Sequence, residues 1–157
     1  TVAWSGDGNN VCHSLMLAAG IIGFNLNVAT PRGFEPAPEI TEKSNQFARK
    51  SGAVIKLTYD PCQAVENADY VYTDVWASMG QENEAEQRRQ IFRPYQINRQ
   101  LLSRAKPDIK VMHCLPAHRG EEITDDVLDG PQSIVLNQAE NRLHIQRAIL
   151  ARLLKNG

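Results

Sequence analysis

No stretch of this chain reaches the roughly 18 consecutive apolar residues that a bilayer-spanning helix needs, so a soluble domain is expected. Nor is there a surplus of charge. Lys and Arg number 17 against 18 Asp and Glu, a formal net charge of -1, so no overall field draws the chain to nucleic acid or to an anionic membrane. Small molecules or protein are the expected partners. Cysteine is scarce and odd in number: Cys12, Cys62 and Cys114, with no C-x-x-C pair, which excludes a disulfide framework or a zinc knuckle. Reduced thiols and a cytoplasmic setting follow. H-E-x-x-H, Cys/His ligand spacing and G-x-S-x-G are also missing, which leaves metal-assisted hydrolysis and a serine-hydrolase elbow without support.

What is present is an alternation. With 157 residues, of which 42% are hydrophobic, the chain can build one domain with a real core but is short for two. Apolar runs of strand length occur at Thr1 to Ser5, Leu26 to Thr30, Val54 to Thr58, Tyr70 to Thr73, Ile109 to His113 and Ser133 to Leu136. Segments with helical spacing lie between them, the signature of a parallel sheet. The expected fold is α/β: a single Rossmann-like three-layer domain with a mainly parallel β-sheet and helices on both faces. Thr1-Val2-Ala3-Trp4 reads as a core strand already under way, so a preceding segment is expected.

Helix signals agree. Val11, Leu15, Ala18, Ala19 and Ile22 recur at the helical period before Gly23, with Asp7 or Asn9 placed to cap. Pro38 can open a helix that stops at Gly52, Asp60-Pro61-Cys62-Gln63 reads as a capped start, and Thr124 precedes two acids that suit a helix N-terminus. Ser78 to Arg89 is polar and acid-rich and reads as a long loop running into a helix, a length that is often functional. On the last segment, Leu143, Leu150 and Leu154 fall on one face of a helical wheel, with Ile145, Ala148, Ile149 and Leu153 on the other side. Such a helix needs two surfaces, either a groove of its own domain or a second domain. The abrupt first strand favours the second domain.

In an open parallel sheet, ligands bind beyond the carboxyl ends of the strands, where strand order reverses. The polar clusters fall at such ends: Gly6-Asp7-Gly8-Asn9-Asn10 after the first strand, Asp74 after the fourth, His113-Cys114-Leu115-Pro116 after the fifth and Glu140-Asn141-Arg142 after the sixth. The first cluster fails as a dinucleotide fingerprint. Val11 stands at its third glycine position, and no acid follows the second strand to hold a ribose. Taken singly, Asp74 suits a salt bridge or a receptor for a cationic group, Cys114 a small buried hydrophobe and His113 a satisfied core histidine.

Together, Trp4-Ser5-Gly6-Asp7-Gly8-Asn9-Asn10, Asp74-Val75-Trp76-Ala77-Ser78-Met79-Gly80, His113-Cys114-Leu115-Pro116 and Glu140-Asn141-Arg142 resemble, in order and spacing, the C-terminal domain of ornithine carbamoyltransferases. The similarity covers essentially the whole chain, 1–157. It implies attack by the δ-amine of L-ornithine on carbamoyl phosphate, giving citrulline and phosphate in arginine metabolism, without metal or organic cofactor. By resemblance, Asn10 and Asp74 hold the amino-acid end of ornithine, and Ser78 and Met79 close over it as a lid. Cys114 lies near the reacting amine, the Leu115 carbonyl accepts from the carbamoyl NH₂ across a cis Leu115–Pro116 bond, and Arg142 binds the carbamoyl oxygen. The catalytic set implied is Asp74, Cys114 and Arg142.

The family grips phosphate with a Ser-Thr-Arg-Thr-Arg loop and adds a His-Pro-x-x-Gln stretch, both from its N-terminal domain, and neither string occurs here. The resemblance therefore implies half an active site, little or no activity alone, and a monomer where the full-length family forms homotrimers. A putrescine-type relative is the nearest alternative. An aspartate-type one would show His-Pro-Leu-Pro and would find Asp74 repulsive. A nucleotide-binding Rossmann module is the alternative from another class.

Overall fold

A computed structural model describes residues 1–77 and 85–155; the expected Ser78 and Met79 lid lies outside them. Five parallel strands form one sheet: β1 (Val2–Ser5), β2 (Leu26–Ala29), β3 (Ile55–Thr58), β4 (Tyr70–Thr73) and β5 (Lys110–His113). Their order is β3-β2-β1-β4-β5. The chain therefore winds one way from β1 to β3 and the other way from β4 to β5. The reversal falls between β1 and β4, and there the carboxyl ends of the strands open a crevice.

Alternate residues of each strand feed the two faces, as the pleat requires. Ala3, Val71 and Val111 join one cluster with Val65, Leu101, Ile109, Ile123 and Val127. On the opposite face Trp4, Leu26 and Val28 pack with Cys12, Met16 and Ala19. The helices follow from this division. Helices α1 (Asn10–Ile22) and α2 (Pro38–Ser51) pack against each other beside the Trp4 face, while α3 (Pro61–Val65), α5 (Arg99–Leu102) and α6 (Asp125–Leu128) cover the other. Between β4 and α5 lies α4 (Ala85–Phe92). The three-layer expectation holds.

Local signals explain the boundaries. Asn9 caps α1, its Oδ1 accepting from the backbone of Val11 at 3.0 Å and Cys12 at 3.1 Å. Asp60 caps α3 through the Cys62 amide at 2.9 Å, and Pro38 opens α2 as read from the sequence. Thr124 precedes α6 but makes no side-chain cap bond. Helix α4 begins at Ala85, so the polar stretch turns helical earlier than its composition suggests.

The expected sixth strand is not formed. Val111 pairs with Ser133 in a single bridge, and from Val135 the chain is already helical as α7 (Val135–Lys155). The cause is the residues that follow. Leu136, Gln138, Ala139, Glu140, Arg142 and Leu143 are strong helix formers without a breaker, so the helix propagates back into the short apolar run.

Helix α7 touches the sheet only at its start. Val135 is buried, but every residue from Ala139 to Lys155 is exposed, including Leu143 at 56%, Ile145 at 62% and Leu154 at 80%. The two-sided apolar pattern thus has neither of its surfaces within the described residues. Because α7 makes no buried contact beyond its first turns, deleting residues 143–157 is expected to shift unfolding stability by no more than about 0.5 kcal/mol, read from urea denaturation. A loss above about 2 kcal/mol would mean that the outer turns pack against the domain.

Candidate functional site

The crevice between β1 and β4 is built from three strand ends. Thr73 is the last residue of β4, and Asp74 leaves it with a side chain that is 8% exposed. Its carboxylate accepts three hydrogen bonds: Asn9 Nδ2 to Oδ2 at 2.9 Å, the Val75 amide to Oδ1 at 2.8 Å and Cys114 Sγ to Oδ1 at 2.8 Å. These donors come from the turn after β1, from the chain after β4 and from the turn after β5. One carboxylate therefore ties three segments that are far apart in sequence.

Asn9 serves two masters, since its Oδ1 holds the start of α1 while its Nδ2 faces Asp74. The sequence offered it only as a cap. Asn10, the position carried by the resemblance, is the exposed first residue of α1 and does not join the Asp74 cluster. Asn9 is thus the amide that the structure brings to the site.

The glycines of the turn have local jobs. Gly6 sits at φ +146°, a conformation that side chains rarely adopt. A Cβ on Gly8 would lie 2.4 Å from Pro36 N and 2.6 Å from Phe34 O. The chain at Phe34–Pro36 fills the space over Gly8, so this glycine permits a close approach of backbone to backbone rather than of a pyrophosphate. That counts further against the dinucleotide reading.

Asp7 is turned away from the helix start and pairs with Arg88 of α4, which also donates through Nε to the Trp76 carbonyl. Arg88 is 4% exposed and lies 4.8 Å and 5.0 Å from the ring centroids of Phe34 and Phe92. Burial pushes the Asp7 carboxyl above its usual value more than Arg88 pulls it down. No sequence motif singled out Arg88, because its partners are remote in the chain.

After β5, His113 is buried and Cys114 half-buried, and the Leu115–Pro116 bond is cis with Leu115 at φ +57°. Burial first, and then the hydrogen bond and charge of Asp74, together push the Cys114 thiol up to about 12. Near neutral pH Cys114 is therefore a protonated donor to Asp74 and not a thiolate nucleophile. Asp74, His113 and Cys114 also offer ligand atoms close enough to hold a metal ion, as do His118, Glu121 and Glu122. In the first trio the thiol is spent on Asp74 and the histidine on its own turn.

Arg142 stands apart on exposed α7. Its placement is still informative. Gln138 Oε1 accepts from the His113 amide at 3.1 Å, and Arg142 is four residues further on, the same helix face one turn along. The chain runs beside β5 through the Val111–Ser133 bridge, ahead of α7, and then the Gln138 contact in the helix's first turn; Arg142 is one turn further along α7 and exposed. Leu115 and Asn137 line a 360 Å³ hollow that Arg142 does not line.

The state of Cys114 is directly measurable. Its alkylation by iodoacetamide near pH 7.5 is expected to be far slower than that of exposed Cys62, and to keep accelerating about tenfold per pH unit past pH 9. Replacing Asp74 with Asn removes an interaction that raises the thiol and is expected to speed the reaction. Equal rates for the two cysteines in peptide mass spectra would contradict a protonated, partly buried Cys114.

Comparison with known proteins agrees with this geometry. Residues 1–153 match the family model described as aspartate/ornithine carbamoyltransferase, Asp/Orn binding domain. The chain is 59% identical over 150 residues to the ornithine carbamoyltransferase of Thermococcus kodakarensis, covering 96% of this chain and 48% of that protein. To the Bacillus cereus protein of the same name it is 54% identical over 155 residues, covering 99% and 49%. Among solved structures, ornithine carbamoyltransferase from Pyrococcus furiosus superposes with a TM-score of 0.91 at 59% identity, covering 96% of this chain and 48% of that one. The anabolic enzyme of Campylobacter jejuni gives 0.94 at 38% identity, covering 99% and 52%. The chain spans about half the length of the curated relatives it matches, and it belongs to the aspartate/ornithine carbamoyltransferase family through the domain that binds the amino acid.

Proposed function

We propose that this chain is the ornithine half of a carbamoyltransferase active site, working with a carbamoyl-phosphate half of the kind its longer relatives have room for. The observation that carries the reading is the Asp74 carboxylate, little exposed and held by Asn9, Val75 and Cys114 at the strand-order reversal. A desolvated carboxylate with fixed orientation is a receptor for an ammonium group, and it repels a second carboxylate. That favours ornithine over aspartate as the acceptor.

The chemistry follows from the nucleophile's needs. A side-chain ammonium like that of ornithine has an ordinary pKa of about 10.4, so the nitrogen must shed one proton before it attacks the carbamoyl carbon. It sheds a second as the tetrahedral intermediate collapses and the carbon–oxygen bond to phosphate breaks. Asp74 binds the α-ammonium and fixes the distance at which the δ-nitrogen arrives, and Cys114 borders that nitrogen without competing as a nucleophile. The Leu115 carbonyl accepts from the carbamoyl NH₂. Arg142, one turn along α7 from Gln138, meets the carbamoyl oxygen, where negative charge grows. The resemblance also assigns Ser78 and Met79 to ornithine.

Phosphate binding belongs to the other half. The exposed apolar sides of α7 fit that division, since Leu143, Ile145, Ile149 and Leu150 are a cost in water that a second domain removes. Alone, the chain is expected to be a monomer or to self-associate through this helix, with negligible turnover.

Joining this chain behind the N-terminal half of the Thermococcus kodakarensis relative is expected to give citrulline from ornithine and carbamoyl phosphate. Product from putrescine or aspartate should be at least tenfold lower. Asp74→Asn should cut kcat/KM for ornithine about 100-fold, as expected for loss of a buried charged partner. Preferred use of putrescine, or no effect of the Asp74 change in an active joined chain, would refute the reading.

A further inference from the structure

The turn that carries Cys114 and Leu115 is held by a buried pair to which the proposed reaction assigns no role. His113 and Glu122 both have fully buried side chains, with His113 Nε2 2.9 Å from Glu122 Oε1. The other ring nitrogen, Nδ1, accepts the Leu115 amide at 2.8 Å. A nitrogen that accepts carries no proton, so the ring's proton sits on Nε2 and is donated to Glu122. The same Glu122 oxygen accepts the His118 amide at 2.6 Å.

One carboxylate oxygen thereby fastens both ends of the segment from His113 to His118. The backbone of Glu122 is fixed in turn, because its carbonyl accepts the Ile97 amide at 2.8 Å; Glu122 Oε2 is buried with no partner among the described residues. Leu115, at φ +57°, is held in a backbone conformation that a leucine rarely takes unaided. Its amide is the group that His113 grips.

We infer that Glu122 is a positioning residue for carbamoyl transfer: through the tautomer it imposes on His113, it sets the Leu115 backbone and the Cys114 thiol against the reacting groups. This inference rests on the carbamoyltransfer reading for its chemistry, but not for its geometry. A positioning residue of this kind acts on kcat more than on ornithine binding, because Asp74 keeps its bonds from Asn9 and the Val75 amide when the Cys114 bond shifts.

The test combines ring spectroscopy with kinetics. On this chain with ¹⁵N-labelled histidine, the His113 ring is expected to show the Nε2–H tautomer. Glu122→Met removes the acceptor, and is expected to release the ring into a tautomer mixture and to move the Cys114 and Leu115 amide signals. In the joined enzyme the same change should lower kcat about 100-fold with KM for ornithine within about threefold, whereas Glu122→Gln, which keeps an acceptor oxygen, should restore kcat to within about tenfold of the original. Should Glu122→Met not fold, His113→Asn serves instead. It keeps an acceptor near the Leu115 amide, loses the link to Glu122, and should show the same kcat loss at preserved KM.

Unchanged ring and amide signals, or an unchanged kcat, would overturn the inference. So would a parallel loss of kcat and ornithine binding, which marks a merely structural residue. The ring and amide signals need no turnover. If the joined enzyme with Glu122 intact makes no citrulline, the carbamoyltransfer reading fails, while those signals still decide whether Glu122 sets the turn.

Discussion

Everything at this site hangs on one carboxylate that is almost out of water yet fully engaged. A charged group taken from solvent is costly unless hydrogen bonds replace its hydration. Asp74 meets that condition by drawing donors from three separate strand ends. Sheet order makes this possible. With β1 and β4 adjacent and their crossovers running in opposite directions, nothing in the connections closes the space above their carboxyl ends. The fold supplies the crevice, and Asp74 supplies the reason for three loops to converge in it.

Around that carboxylate the polar groups form two linked shells with different tasks. Asp7, Arg88 and the Trp76 carbonyl anchor α4 to the turn after β1. His113 and Glu122 discipline the turn after β5. Both are buried pairs, which contribute little net stability relative to apolar packing but penalise alternative arrangements. On the proposed reading, a site that orients an amine against a carbonyl carbon gains more from fixed orientation than from raw stability. Helix α7 stands outside this frame, anchored at Val135 and Gln138 and otherwise exposed, with Leu143, Ile145, Ile149 and Leu150 among its side chains in water.

Much of this was legible in the residues. Alternation of strand and helix patterns located five strands to within a residue or so, because buried parallel strands read as short β-branched and aromatic runs. The motifs placed Asp74 and Cys114 at strand ends, where they are. Three features lay beyond the sequence for physical reasons. Ser133 to Leu136 looked like a strand because four residues have no period of their own, and helix formers downstream captured it. The resemblance assigns ornithine to Asn10, and the cap geometry adds Asn9, whose amide turns to Asp74. Arg88 and Glu122 gain their meaning from partners 81 and 9 residues away, a pairing that composition does not encode. The part of the pocket assigned to Ser78 and Met79 rests on resemblance alone.

The most direct measurement is a backbone and side-chain amide NMR titration of this chain with L-ornithine, using putrescine and NAD as controls. A preformed half-site requires ornithine to shift the Asn9 side-chain NH₂, the Val75 amide and the Cys114 amide, with weaker shifts from putrescine, which lacks the α-carboxylate, and none from NAD. Shifts from NAD around Gly6 to Asn10, or a well-dispersed spectrum that ornithine leaves untouched at high millimolar concentration, would contradict the view that Asp74 stands ready as an ammonium receptor.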